Sequence, residues 1–148
     1  MKVKTGFLLD VNVLIAMAWP THSAHKKVQD WLSRHAREGW ATCPLTQTAF
    51  VRILSNPAFS PNALAPGDAV ILLQANLSHP AHRFWADELS FIQALEVLTP
   101  RLAGHQQVTD AYLLGLAIHK KGKLATMDQA VLSLLPEKSR AREFVELV

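Results

Sequence analysis

A short apolar segment that stops at an acid constrains this chain more than any other feature. Residues 3–9 predict a β-strand that is mostly apolar on both faces, and Asp10 ends it. A strand that is apolar on both faces is typical of a central position in a parallel sheet, because helices cover both of its sides. The segment therefore indicates a layered α/β protein with its first strand near the middle of the sheet.

The rest of the chain alternates between strand and helix patterns. Strands are predicted at 40–43, 82–86 and 123–125, with an edge strand at 143–148. Helices are predicted at 12–18, 22–37, 45–54, 67–75, 88–94, 108–121 and 127–134, and the proline-rich stretch 55–66 is predicted to be a loop. The alternation favours an α/β fold with a central, mostly parallel sheet flanked by helices. No repeat or long linker divides residues 1–148, so we expect one domain.

Composition narrows the class of protein. The 148 residues are 49% hydrophobic and 18% charged, as expected for a globular chain. No apolar run approaches the ~20 residues that span a bilayer, and the N-terminal apolar stretch stops too soon for a signal peptide. We therefore expect a cytoplasmic protein with no membrane partner. The net charge of +3 is compatible with a polyanionic ligand.

The single cysteine, Cys43, excludes an internal disulfide and a cysteine metal cluster. Its apolar surroundings favour a buried structural thiol over a nucleophile.

Three acids are predicted at one end of the sheet. Asp10 follows the first strand, Asp128 follows the short strand at 123–125, and Asp110 lies in the first turn of the helix at 108–121. Ligands of such sheets bind at the carboxyl ends of the strands. Crowded carboxylates raise each other's pKa unless a cation neutralises them, and Mg²⁺ or Mn²⁺ prefers oxygen ligands.

Each acid also has an ordinary structural interpretation. Thr126 and Gln129 have the spacing of a capping box, which would make Asp128 a first-turn acid that interacts with the helix dipole. Asp110, beside Thr109, is open to the same interpretation, and Asp10 to that of a turn residue. The case for a site depends on the three acids together.

Several ordered motifs resemble one family. Residues 8–14, Leu-Leu-Asp-Val-Asn-Val-Leu, are similar to the opening motif of PIN-domain nucleases. Residues 108–114 resemble the central acidic helix of that family, and residues 125–128 its last acidic motif. Residues 43–46 and 50–57 closely resemble one branch of the VapC-type toxins, which belong to the same family. The matches run in the family's order and cover most of the chain.

The resemblance implies a three-layer PIN-like fold and a Mg²⁺- or Mn²⁺-dependent ribonuclease. It implies Asp10 and Asp110 as direct metal ligands, and Asp128 as a ligand through water or as a group that orients the nucleophile. Asn12 and Thr109 are candidates for holding those acids in place, although a helix-capping role fits each of them equally well.

Position 47 departs from the family pattern. The branch normally has a glutamate after the residue that corresponds to Thr46, and this chain has Gln47. Glutamine keeps a carbonyl acceptor but loses the negative charge, so metal affinity should fall and a second metal is disfavoured. Both an engineered, silencing change and a natural variant are open as origins.

Partners follow from the same resemblance. The substrate would be RNA in a single-stranded or looped form, with a VapB-like antitoxin over the active site and a homodimer as the assembly. Trp19, Pro20 and the apolar face of the helix with Trp31 are candidates for the protein interface, with core packing as the alternative. Candidate phosphate contacts are Arg52, Arg101, His105, Lys120, Lys121 and Lys123.

Two rival functions differ from an active nuclease. A haloacid-dehalogenase-like phosphatase also has an aspartate after its first strand, but its second acid is replaced here by Asn12, and its Gly-Asp-Gly motif is missing. A PIN-like module that binds RNA or an antitoxin without cleavage is favoured by Gln47.

Overall fold

The protein, described from a computed structural model over residues 6–98, 102 and 104–148, has one five-stranded parallel sheet. The strands lie in the order β3-β2-β1-β4-β5. Their bounds are β1 Phe7–Leu9, β2 Trp40–Thr42, β3 His82–Phe84, β4 Lys123–Thr126 and β5 Val145–Leu147. The helices are α1 Val11–Ala18, α2 His25–Arg34, α3 Pro44–Leu54, α4 Pro66–Leu77, α5 Phe91–Leu98 and α6 Val108–His119, and 3-10 helices span His105–Gln107, Gln129–Leu134 and Arg140–Phe144. The predicted α/β class is confirmed.

Strand β1 is central, as its apolar sequence predicts. Leu8 and Leu9 are fully buried, and β2 and β4 pair with β1 on either side. Leu9 lies opposite Ala125 of β4, so the residues that follow them, Asp10 and Thr126, emerge side by side. We call this end of the sheet the carboxyl edge and the opposite end, where the strands begin, the amino edge.

Helices cover both faces and give three layers. Phe7 and Leu9 pack with the apolar residues of α1 to α4, whereas Leu8 and Leu124 pack with α5, α6 and the 3-10 helix Gln129–Leu134. Cys43 is fully buried, as expected of a structural thiol. The larger aromatic residues also serve the core, since Trp31, Trp40 and Trp85 are buried and Trp19 is half-buried.

Several predicted boundaries are wrong. The second helix ends at Arg34 rather than 37, and the helix expected at 88–94 begins only at Phe91. The helix expected at 127–134 is a 3-10 helix from residue 129. Helix α6 ends at His119 rather than 121, because Lys121 takes the left-handed conformation (φ 60°) and Gly122 N–H bonds back to the Ala117 carbonyl.

In the part of the chain that the structure describes, no helix is both long and apolar enough to span a membrane.

Candidate active site

Asp10 is a buried carboxylate at the end of the central strand. It is 5% exposed, and both of its oxygens accept hydrogen bonds, Oδ1 from Val11 N (2.7 Å) and Oδ2 from Thr126 Oγ1 (2.7 Å). Burial raises the pKa of Asp10, the two hydrogen bonds lower it in part, and the charge of Asp128 raises it further. Asp10 also caps α1, so Asn12 is not the cap.

Thr126 connects the ends of β1 and β4, a role that the sequence analysis missed. While donating to Asp10, its Oγ1 accepts from Asp128 N (3.1 Å) and from Asn12 Nδ2 (3.4 Å). Asn12 Oδ1 in turn accepts from Met127 N (3.4 Å). Asn12 is therefore hydrogen-bonded to the same threonine hydroxyl that holds Asp10. Thr126 directly follows Ala125, the register partner of Leu9, so the pairing of β1 with β4 is what reveals this role.

Asp110 has the largest electrostatic perturbation of the three acids. It is half-buried in the first turn of α6. Burial, as the largest cause, and the charges of Asp10 and Asp128 together raise its pKa from 3.8 to about 7. The three acids therefore lie close enough for each charge to act on another, as the sequence predicts.

Asp128 combines a possible site role with an observed structural role. Its Oδ1 accepts from Ala130 N (2.9 Å) and so caps the 3-10 helix that follows. Thr126 belongs to β4 and is not the cap, so the predicted capping box is wrong. The side chain is exposed, which leaves its second oxygen accessible to solvent.

Gln47 lies at the carboxyl end of the neighbouring strand. It is half-buried in α3, and its Nε2 donates to the buried Thr42 Oγ1 (2.9 Å) at the end of β2. Thr42 Oγ1 also bonds with His82 Nε2 (2.7 Å). No hydrogen bond between described residues joins Gln47 to the three acids.

The remaining candidates are scattered. Thr109 is exposed, and His105 lies in the 3-10 helix before α6, on the side of Asp110. Three lysines lie at the amino edge, where β4 begins, and so at the other end of that strand from the acids: Lys120, Lys121 and Lys123. Lys120 forms an ion pair with Glu88. Arg52 is exposed in the last turn of α3, and Arg101 lies outside the described residues.

Two surface depressions differ in their relation to the acids. An open, mainly apolar cleft of about 460 Å³ lies at the first turns of α1, just after Asp10 in the sequence, and its lining includes Val11, Asn12 and Phe59 but none of the three acids. A second cavity of about 520 Å³ lies between α2 and α4, lined by Trp40 and His79 among others. Trp40 begins β2, so this second cavity opens near the amino edge and away from the acids.

The acids fit a hard divalent cation held by few protein ligands. Carboxylates and an amide oxygen are the donors that Mg²⁺ and Mn²⁺ prefer. Among the described residues, no three His, Cys, Asp or Glu side chains form a ready cage. Mg²⁺ usually keeps several waters and takes one or two carboxylates, so a closed cage is not required. Burial and the neighbouring charges of Asp10 and Asp128 both disfavour the ionised form of Asp110, and a bound cation would favour that form.

Comparison with known proteins identifies the family to which this fold belongs. The family model of the PIN domain matches residues 7–135, and the chain belongs to the PIN-domain family. Ribonuclease VapC38 of Mycobacterium tuberculosis (strain ATCC 25618 / H37Rv) is 41% identical over 133 residues, which are 90% of this chain and 92% of that protein. Ribonuclease VapC29 of the same strain is 43% identical over 127 residues, 86% of this chain and 89% of the relative. The resemblance to VapC-type members is thus confirmed, and the dehalogenase-like alternative is set aside.

A solved structure shares the architecture. A chain of the VapBC2 crystal structure from Rickettsia felis, bound to a DNA fragment from its promoter, superposes with a TM-score of 0.57. The match covers 87% of this chain and 95% of that chain at 13% identity. At that identity the similarity shows the three-layer fold alone.

Proposed function

We propose that this chain is a Mg²⁺- or Mn²⁺-dependent endoribonuclease toxin, a single PIN-like domain that a VapB-like antitoxin restrains. One observation carries the proposal: Asp10, Asp110 and Asp128 act on each other electrostatically at the carboxyl edge of a PIN-family sheet. The names of the relatives, which are ribonucleases, support the reaction class.

The three acids take different roles because their environments differ. Asp10 is held rigidly by Thr126 and Val11, so it is suited to be a fixed ligand. Asp110 makes a second ligand, and its pKa of about 7 means that loading a cation at neutral pH displaces a proton. Asp128 is exposed enough to orient a water molecule. A bound Mg²⁺ or Mn²⁺ would supply charge stabilisation at the scissile phosphate and a more acidic water.

Gln47 weakens this site in the proposed mechanism. An amide contributes one neutral oxygen where a carboxylate would contribute a full negative charge. With a neutral amide at position 47, cation affinity and the rate of cleavage should both fall. Thr109, exposed beside Asp110, is a weaker candidate than Asn12 for holding the acids in place.

The apolar cleft at the first turns of α1 is the proposed docking surface for the antitoxin. Its lining includes Ile15 and Phe59, and Phe59 contacts Trp19 with ring centroids 6.1 Å apart. The face of α2 that carries Trp31 is not available, because Trp31 is buried against Phe7. An antitoxin segment in this cleft would contact Val11 and Asn12, the two residues that follow Asp10. RNA is the proposed substrate and a homodimer the proposed assembly.

The test is cation-dependent cleavage of a mixed RNA pool. We would compare the unmodified protein, Gln47→Glu and the double variant Gln47→Glu/Asp10→Asn with Mg²⁺ or Mn²⁺. Cleavage by Gln47→Glu and none by the double variant is the expected result. A folded Gln47→Glu protein that binds no cation and cuts no RNA would contradict the proposal.

A non-catalytic binding module is the second candidate, and the hydrogen bond of Gln47 to Thr42 favours it, since the amide is well accommodated. Expression of Gln47→Glu in cells separates the two. Toxicity supports a weakened nuclease, and continued harmlessness supports the binding module.

A further inference from the structure

A chain of hydrogen bonds leads from Gln47 into the protein. Gln47 Nε2 lies 2.9 Å from Thr42 Oγ1, and Thr42 Oγ1 lies 2.7 Å from His82 Nε2. His82 also has a hydrogen bond with the backbone of Leu77, which raises its pKa. A backbone group favours the protonated imidazole only by accepting, so the Leu77 carbonyl takes an N–H of this ring. We call these four groups the Gln47–His82 chain.

The far end of this chain fixes the direction of every proton in it. Burial lowers the pKa of His82 below its ordinary value of 6.5, and the nearby charge of Arg83 acts in the same direction, so the neutral ring is favoured. A neutral imidazole has one N–H. Because Nε2 faces Thr42, the N–H that bonds to the Leu77 carbonyl is at Nδ1. Nε2 then has no proton and can only accept, so the Thr42 hydroxyl donates its single proton to His82.

The direction of the Thr42 hydroxyl decides the orientation of the Gln47 amide. An amide has a donating nitrogen and an accepting oxygen, and the two ends are hard to distinguish by shape alone. Because the Thr42 proton is committed to His82, Thr42 can only accept from Gln47, and only Nε2 can donate. Among the hydrogen bonds of the described residues, none ends on Gln47 Oε1.

We propose that His82 is a positioning residue that acts through Thr42, turning the Gln47 amide nitrogen into the protein and leaving its oxygen free to accept. Position 47 would then offer an oxygen ligand for a cation or its water, and not an N–H donor for phosphate. That use of the oxygen rests on the proposed nuclease site, whereas the orientation itself does not.

A glutamate at position 47 would reverse the direction of the hydrogen bonds in the Gln47–His82 chain. A carboxylate has no proton to give, so Thr42 Oγ1 would donate to it. Thr42 would then have only lone pairs left for His82, and Nε2 of His82 would have to carry a proton. With the Leu77 carbonyl on the other nitrogen, the ring becomes an imidazolium.

The orientation is tested by long-range ¹H–¹⁵N correlation spectra of the histidine rings in the full ¹⁵N-labelled chain. We expect His82 in the neutral form with Nδ1 protonated and Nε2 accepting. Thr42→Val should shift its Nε2 resonance, Thr42→Ser should restore it, and Gln47→Glu should protonate Nε2 at the same pH. His79→Asn is the matched control, because His79 also lies near Trp40 but takes no part in the Gln47–His82 chain of hydrogen bonds.

A protonated Nε2 in the unmodified protein, or an Nε2 resonance that Thr42→Val leaves in place, would overturn the proposed orientation. Where Thr42→Val fails to fold, the ring form of His82 in the unmodified protein decides alone.

Whether the Gln47 side-chain oxygen contributes to cation binding is tested by Mn²⁺ titration calorimetry with the same proteins. Thr42→Val should weaken Mn²⁺ binding by roughly tenfold to a hundredfold, the usual effect of removing a partner that orients a ligand, and Thr42→Ser should not. Equal Mn²⁺ affinity in both variants overturns the role of His82 and Thr42 at the site. No Mn²⁺ binding in any protein overturns the proposed nuclease site, while the spectra still report the orientation independently.

Discussion

The two edges of the same sheet are built on opposite principles. At the amino edge, Phe7 packs edge-on against Trp31 with ring centroids 4.9 Å apart, and His35 lies 5.0 Å from Phe7. At the carboxyl edge, Asp10 and Asp110 lie in partly desolvated positions where their charges oppose each other. The first edge gains stability from burial, and the second gives up stability to hold charge ready for a ligand. Such a division is common at functional sites.

Helix α2, which packs on Phe7, also contacts the outer strand β5, where Glu146 lies level with Ala125 and Leu9. Trp31 Nε1 donates to Glu146 Oε2 (3.1 Å) on β5, and Glu146 lies 3.6 Å from His35 Nε2. The indole therefore joins α2 to the edge of the sheet while burying its ring. The predicted role of Trp31 at a partner interface is replaced by this core role.

Removing the aromatic anchor should have the largest effect on stability. We expect Trp31→Ala to lower the free energy of unfolding by about 3–5 kcal/mol, because it leaves a cavity and removes the hydrogen bond to Glu146. Urea denaturation measures the change. Trp31→Phe is the control that keeps most of the packing and loses the hydrogen bond, and it should lose less. A change below about 1 kcal/mol for Trp31→Ala would mean that Trp31 is not a main source of stability in this part of the protein.

Cation loading should partly reverse the weakness of the carboxyl edge. At a Mn²⁺ concentration a hundredfold above its dissociation constant, the free energy of unfolding should rise by about 2.7 kcal/mol. Asp110→Asn should reduce this gain at the same Mn²⁺ concentration, since one ligand charge is lost. Asp68→Asn is the matched control, because Asp68 occupies the same position in the first turn of α4. Equal gains in both variants would exclude Asp110 as a ligand.

Without a cation, neutralising Asp110 should stabilise the protein. The folded pKa of about 7 lies above the ordinary 3.8, so the native state binds more protons than the unfolded state between these values. Stability therefore falls as pH rises from about 4 to about 7. At pH 8 we expect Asp110→Asn to gain about 1–2 kcal/mol, allowing for solvent around a half-buried group.

Thermal unfolding at pH 5 and pH 8 measures this effect. The gain should be smaller at pH 5, where Asp110 is already protonated in the native state. Asp68→Asn should lose about 0.3–1 kcal/mol instead, because it removes a favourable interaction with the helix dipole. A gain in both variants would point to helix propensity and not to crowded charge.

The sequence predicted the sheet and its acids because both depend on local patterns. The apolar run before Asp10 and the first-turn position of Asp110 follow from residue spacing alone. The Thr126 bond to Asp10 spans 116 positions and the Thr42 bond to His82 spans 40, so strand register determines both. Strand order was not predicted, which is why neither threonine was identified as a site residue.

The basic residues were misjudged for a different reason, because their distance from the acids depends on one strand alone. Lys120, Lys121 and Lys123 look like a phosphate-binding group in the sequence, because a turn places them next to the strand that leads to Asp128. A parallel strand, however, separates its two ends, and Lys123 lies about 10 Å from Thr126 at the usual rise per residue. The strand predicted at 123–125 already begins at Lys123 and leads to Asp128, so the sequence itself places the basic turn and the acids at opposite ends of that strand.

Lys123→Gln should therefore have the smallest effect. About 10 Å is one Debye length at 0.1 M salt, so the exposed Lys123 charge should be largely screened at the acids. We expect RNA affinity to change by less than about twofold and the slope of affinity against salt concentration to stay constant. A slope reduced by about one would mean that bound RNA runs from the carboxyl edge across the sheet to the amino edge, making the basic turn part of the binding surface.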